Sequence, residues 1–226
     1  MRNSNDVAVQ RIGMGGRWKW RDLMAFGWQY ERLYSVLYVL EFSSDIRKSH
    51  YFRENVGKSP WLGGWSVVNF YNAAAKAVPE NHEMRVERLH YSSPGFIDIA
   101  LAYAVAKVLR LTIREFSRIP GEIRDEYHRW HREARKHRLL MKKYDKQIRD
   151  LDRDEYEFCK KATTDLFHRL QLGHLLPDLE RLGGHPLIQM KIAFSLVRRL
   201  IKINDLQGPN ERLDFKASPL PRNKTD

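Results

Sequence analysis

The sequence predicts a predominantly helical α+β protein, and three observations predict it. Apolar residues recur at intervals of three and four over much of the second half, from Ile123 to Ile201. Shorter runs rich in Val, Tyr and Leu lie in the first half, between Arg32 and Phe42 and between Met84 and Tyr91. The chain of 226 residues is 42% hydrophobic, with six Trp, ten Tyr and ten Phe, which suffices for a core and excludes wholesale disorder.

In chain order, residues 1–17 are polar, end in Gly13, Gly15 and Gly16, and read as a flexible arm. A short helix is expected near Trp20–Phe26, then a buried strand near Arg32–Phe42, although Leu33, Leu37 and Leu40 also fit a helical stripe. Residues 43–65 carry Gly57, Pro60, Gly63 and Gly64 and read as a long loop. Ser66–Val78 reads as a helix stopped by Pro79, with Val67, Phe70, Tyr71, Ala74 and Ala77 on one side. Met84–Tyr91 alternates as a strand. Strand, helix and strand in this order predict a small N-terminal βαβ layer within an α+β domain spanning 18–119. The junction HYSSPGFIDIALAYAV then delivers that strand into an apolar helix opening at Pro94, capped by Ser92 or Ser93.

After Pro120-Gly121, the residues Ile123, Tyr127, Trp130, Ala134, His137, Met141, Tyr144, Ile148 and Leu151 alternate in steps of four and three. This heptad seam predicts a long charged, coiled-coil-like helix over 120–171, about 70 Å if continuous from 122 to 170. The alternative is two shorter antiparallel helices with a break near Asp150–Asp154. Gly173, Pro177 and Gly183-Gly184 punctuate a C-terminal helical segment at 172–207. Its amphipathic helix, Pro186–Ile203, carries Leu187, Met190, Phe194, Val197 and Ile201. Residues 208–226 are Pro-rich and polar and read as a disordered tail.

The stretch YNAAAKAVPENHEMRVERLHYSSPGFIDIA, followed by an apolar helix and a charged coil, resembles uncharacterised bacterial proteins of similar size. They share an aromatic-x-Ser-Pro-Gly strand-to-helix turn. That resemblance implies no activity and transfers no functional residues.

The formal net charge of +12 is spread along the chain: +6 over residues 1–119, +3 over 120–171 and +3 over 172–226. One segment departs from this. From Arg129 to Arg149 there are nine basic residues against Glu133 and Asp145, and Asp150, Asp152, Asp154, Glu155 and Glu157 follow directly. The single cysteine, Cys159, forms no internal disulfide and points to a reducing compartment. The opening residues lack the apolar segment of a signal peptide, and a cytoplasmic location is expected. Gly95–Ile113 is interrupted by Asp98, Lys107 and Arg110, so no membrane span is expected.

Four constellations carry candidate chemistry. At the junction, free amides of a helix start beside His90, Tyr91, Ser92, Ser93 and Gly95 would suit an anion, but no basic side chain accompanies them and a capped core helix explains the same residues. Arg132 and His137 share the Arg-x4-His spacing of helical HEPN-type ribonucleases, in which both act on the scissile phosphate; Glu133 departs from that pattern. His128, His131 and the pairs Asp125–His128 and Asp165–His168 have helical metal-ligand spacing without the glutamates such a bundle site needs, so neither a metal nor another cofactor is expected. Arg129, Arg132, Lys136, Lys143 and Lys146 form a basic face suited to phosphates.

The leading expectation is a non-enzymatic interaction or sensor module that self-associates through Ile123, Tyr127, Trp130, Ala134, Met141, Tyr144, Ile148 and Leu151. In an antiparallel pair the basic stretch of one copy would lie beside the acidic stretch of the other; the Pro186–Ile203 helix of the same chain is the alternative partner. A further protein partner would meet the small domain. Nucleic-acid binding through the 129–149 face is the alternative, and HEPN-like RNA cleavage the one nameable chemistry.

Overall fold

The computed structural model describes residues 7–44, 65–92, 94–142, 150–206, 213–215 and 220–221. Their elements run β1 (Val7–Met14), α1 (Trp20–Glu41), α2 (Trp65–Ala77), β2 (Arg85–His90), β3 (Gly95–Ala102), α3 (Tyr103–Arg118), α4 (Pro120–Lys136), α5 (Arg153–Arg169), α6 (Leu176–Gly183), α7 (Pro186–Leu206), β4 (Leu213–Asp214) and β5 (Leu220–Pro221). The predominantly helical α+β class holds, with a small sheet beside seven helices among the described residues. Among those residues no helix is long and apolar enough to cross a membrane.

The sheet is antiparallel, with strand order β2-β3-β1 and the short β4 and β5 both on the far edge of β1. The expected βαβ layer is therefore corrected, and so is the flexible arm. Val7–Met14 is a full strand paired with β3 from Val7↔Ala102 to Met14↔Gly95. Its alternation explains this: Ala8, Gln10, Ile12 and Met14 face the core, while Arg11 points out to a bidentate pair with Asp98, both bonds 2.7 Å. The tail is corrected in part, since Leu213–Asp214 and Leu220–Pro221 close the sheet against β1.

The expected strand at Arg32–Phe42 is also corrected: Trp20–Glu41 is one helix. Every residue from Leu33 to Leu40 is buried, so the turns of α1 are apolar all round and the helix forms the centre of the core. Burial on all sides overrides the β-propensity of its Tyr and Val residues. The α2 helix follows the expected 66–78 closely, burying Phe70, Tyr71, Ala74 and Ala77. The loop expected at 43–65 lies almost wholly outside the described residues.

The apolar run after Pro94 is a strand, not the start of a helix. Gly95–Ala102 pairs with β2 on one side and β1 on the other, and α3 begins only at Tyr103, without a side-chain cap. The residues between β2 and β3 thus make a hairpin connection. Gly95 is required there: a Cβ would lie 2.5 Å from the His90 carbonyl oxygen and 2.8 Å from that of Ser92.

The continuous heptad helix is corrected to two helices. α4 ends at Lys136, Arg138 adopts a left-handed conformation (φ 54°), and α5 begins at Arg153. A capping box fixes that start, with the Asp152 carboxylate accepting from the Glu155 amide (2.8 Å) and Glu155 accepting from the Asp152 amide (3.3 Å). Both helices pack on α7, whose residues Pro186–Val197 are buried throughout. The Tyr127 ring meets Phe194 at 5.5 Å, and Trp130 meets Phe158 of α5 edge-on at 5.3 Å. One continuous cluster of buried apolar side chains extends from Ala8 to Phe215.

Candidate anion-binding site

None of the sequence-derived site residues gathers into a site. His90 stacks on Phe96 (5.3 Å), the Tyr91 hydroxyl donates to the Trp18 carbonyl (3.0 Å), and Ser92 Oγ donates to the Pro94 carbonyl (2.6 Å). With Gly95 they form the hairpin, where there is no helix start to hold an anion; Ser93 lies outside the described residues. Arg132 is exposed on α4 and His137 is exposed beyond its end, 5.7 Å from Phe158, and they form no contact with each other. On the basic face, Arg129 pairs with Glu126 and Lys136 with Glu133 (2.7 Å), while Lys143 and Lys146 lie outside the described residues. No group of three or more metal-ligating side chains occurs among the described residues. Cys159 is buried, and burial pushes its thiol up to about 12, well away from a reactive thiolate.

The seam residues have a different fate. Ile123, Tyr127, Trp130 and Ala134 are buried within the protein. Met141 is 65% exposed, Leu151 half-buried, and Tyr144 and Ile148 lie outside the described residues.

What the fold does assemble is a cationic cluster where α1 is flanked by α2 and α7. Gln29 and Arg32 project from neighbouring positions of α1, Tyr71 from α2. Ser195, Arg199 and Lys202 are spaced by four and three and so share one face of α7. Arg199 is only 7% exposed. Its Nη1 donates to Gln29 Oε1 (2.7 Å) and its Nε to Tyr71 Oη (3.3 Å), and the Tyr71 hydroxyl donates to the Ser195 carbonyl (3.2 Å). Two guanidiniums share the Tyr71 ring, Arg199 at 4.9 Å from its centroid and Arg32 at 5.1 Å.

Every partner that Arg199 hydrogen-bonds is neutral, and among the described residues Arg32 and Lys202 form no ion pair. Arg32 is shifted below its usual range by burial first and by Arg199 second; Glu31 opposes this as the smallest of the four influences. Lys202 is likewise lowered, by burial and then by Arg199, Arg198 and Arg32. Burial is the larger cause in both, and the neighbouring cations push in the same direction. A desolvated guanidinium is normally matched by a carboxylate. Here its place is taken by an amide, a phenol and two more cations, an arrangement complementary to an external anion. The cluster supplies hydrogen-bond donors and positive charge, which suits binding of an anion.

Sequence reading missed this site because its residues come from three segments, and the strand assigned to Arg32–Phe42 hid their geometry. One signal was present: Trp20, Met24, Trp28 and Arg32 are spaced by four, which places them on one stripe once α1 is a helix. Compared with protein-family models, curated proteins and solved structures, the chain matches none of them.

Proposed function

We propose that this protein is a binding module for an anionic, phosphate-bearing ligand held between α1, α2 and α7. The observation that supports this is Arg199, nearly buried among neutral partners with Arg32 and Lys202 beside it. Arg32 and Lys202 would meet the ligand from the solvent side. Arg199, oriented by Gln29 and Tyr71, would supply a pre-positioned fork for two oxygens.

Calorimetric titration with inorganic tripolyphosphate tests the reading. The wild type should bind, and Arg199→Met should weaken binding at least tenfold, since charged hydrogen bonds contribute about 1.5–3 kcal/mol each. The same substitution should leave the unliganded protein within about 1 kcal/mol of wild type, because relief of the desolvated charge offsets the Gln29 carbonyl left without its donor. The double variant Arg32→Gln/Lys202→Gln provides a check at less buried positions and should also weaken binding. Equal tripolyphosphate affinity in the wild type and both variants, or none in the wild type, overturns the reading.

Self-association is a second reading, and exposed apolar side chains near the helix break favour it. Met141 is 65% and Tyr156 41% exposed, while the first half of the seam is already covered within one copy. Light scattering on wild type and Met141→Lys checks it. A dimer lost on substitution supports the reading, and a 26.8-kDa particle in both removes it.

A further inference from the structure

We infer that the anion bound at Arg199 is a phosphate of a single-stranded nucleic acid, whose neighbouring bases stack along the exposed face of α1. This rests on the anion-binding reading above and adds an occupant to it. The first half of α1 is unlike the second. Trp20 is 72% exposed, Met24 55% and Trp28 59%, although the same helix buries Phe26, Tyr30 and Leu33. Two Trp rings and a thioether, each one helical turn apart, thus form a line about 12 Å long on the surface. That line runs directly into the cationic cluster. The Arg32 guanidinium lies 4.3 Å from the centre of the Trp28 ring, so the last aromatic of the stripe and the first cation of the cluster are in contact. At the other end, Arg17, Lys19 and Arg21 are exposed beside Trp20.

Aromatic faces interleaved with cations match an unpaired strand, whose bases offer π-faces and whose backbone carries one charge per nucleotide. A duplex keeps its bases stacked inside and has no use for exposed indoles on a helix side. A lipid surface would draw on the same charge. However, the exposed apolar line is only one side chain wide and is flanked on α1 by the exposed Arg21 and Glu31, which falls short of the broad apolar face of an interfacial helix. The net charge of +12 favours association with either polyanion, so the stripe is the deciding feature.

Fluorescence anisotropy with end-labelled oligo-dT and oligo-U of about 12 nucleotides, within the site sizes such surfaces use, tests the assignment. The wild type should bind both, bind a duplex of equal length more weakly, and lose affinity as salt rises from 50 to about 200 mM. Trp20→Ala/Met24→Ala changes exposed positions of the stripe and leaves Trp28, which touches Arg32, in place. It should weaken oligonucleotide binding by a factor of about 10 or more, since stacking on one ring contributes on that order, while its tripolyphosphate affinity stays at the wild-type level. Arg199→Met should lose both ligands. If tripolyphosphate binds and oligonucleotides do not, or the stripe variant binds oligonucleotides as the wild type does, the inference fails and the anion site stands. If neither ligand binds, the anion-binding reading itself has failed. Tighter binding to vesicles of anionic phospholipid than to oligonucleotide, with loss in the stripe variant, reassigns the stripe to a membrane surface and overturns the inference.

Discussion

Tyr34→Phe should lower the thermal unfolding midpoint by about 6–12 °C, a large effect for the loss of one oxygen atom. Tyr34 lies within the fully buried half of α1, and its hydroxyl is the meeting point of three segments. It donates to the His82 carbonyl (2.5 Å) and accepts from the Ala102 amide (3.1 Å), at the boundary between β3 and α3. Tyr38, one turn on, meets Nδ1 of His82 at 2.8 Å. Phenylalanine fills the same space, so the change creates no cavity and tests hydrogen bonding alone. It removes one hydrogen bond from the buried His82 carbonyl and one from the Ala102 amide, at about 1–3 kcal/mol per group. Taking about 3 kcal/mol in total and about 2–4 °C per kcal/mol for a chain of this size gives the stated shift. Calorimetry measures it, and a shift below about 2 °C would show that His82 and Ala102 find other partners. Because α1 also carries Gln29 and Arg32, the same variant should show faster amide exchange near Ala102 before global unfolding.

The charge split between Arg129 and Glu157 shows what was legible in the sequence and what was misassigned. Read on one continuous helix, basic residues followed by acidic ones suggest antiparallel pairing between copies. In the structure the same pattern marks two helix ends. Arg135 and Lys136 occupy the last turn of α4, and Asp154 and Glu155 the first turn of α5. Cations at a C-terminus and carboxylates at an N-terminus both complement the helix dipole, so the reversal of sign is itself a boundary signal. The capping box Asp152-x-x-Glu155 was readable as well. The first half of the seam, Ile123 to Ala134, is the buried stripe of α4, whereas Met141 and Leu151 lie between α4 and α5; the spacing of a stripe does not reveal whether its partner belongs to the same chain.

The helix expected from Pro94 proved to be a strand for a different reason. Pro94-Gly95 after two serines has the composition of a helix start, and Ile97, Ile99 and Leu101 alternate in a stretch whose other positions are also mostly buried. β3 is the central strand between β1 and β2, covered on nearly all sides, so the contrast between its faces is weak. Only its pairing with Val7–Met14 decides the matter, and those residues are nearly ninety positions away in sequence. The candidate site was hidden by the same kind of separation. Arg32, Tyr71 and Arg199 are single residues in three unremarkable stretches, and they form a constellation only after α1 is placed between α2 and α7.

Between about pH 8 and pH 9 the protein should become more stable, and Lys191, the more deeply buried of two lowered lysines, should account for most of the rise. Lys191 is buried on α7, where its Nζ donates to the Lys142 carbonyl at 2.8 Å. Lys142 in turn reaches Glu155 at 2.6 Å, so this amine ties the break after α4 to the start of α5. Burial lowers Lys191 from 10.5 to about 8. The folded state therefore favours the neutral amine, and between these values the unfolded chain binds more protons, so stability rises with pH. The full contribution is present above the unfolded value and is lost as pH falls through about 8. Its span corresponds to about 3 kcal/mol. Only the first part should be visible, because Cys159 is raised from 9.0 to about 12 by burial and opposes the trend above pH 9. Buried Tyr30 and Tyr34, both raised above 10.0, oppose it further. That leaves about 1 kcal/mol between pH 8 and 9. Lys191→Met should remove most of this slope in urea denaturation at pH 7, 8 and 9. At pH 7 it should be more stable than wild type by about 1–2 kcal/mol, the relief of a buried charge outweighing about 1 kcal/mol for the lost hydrogen bond. Parallel pH profiles for the two proteins would show that Lys191 is charged and solvated in the folded state, and that the clasp on Lys142 is an ordinary surface contact.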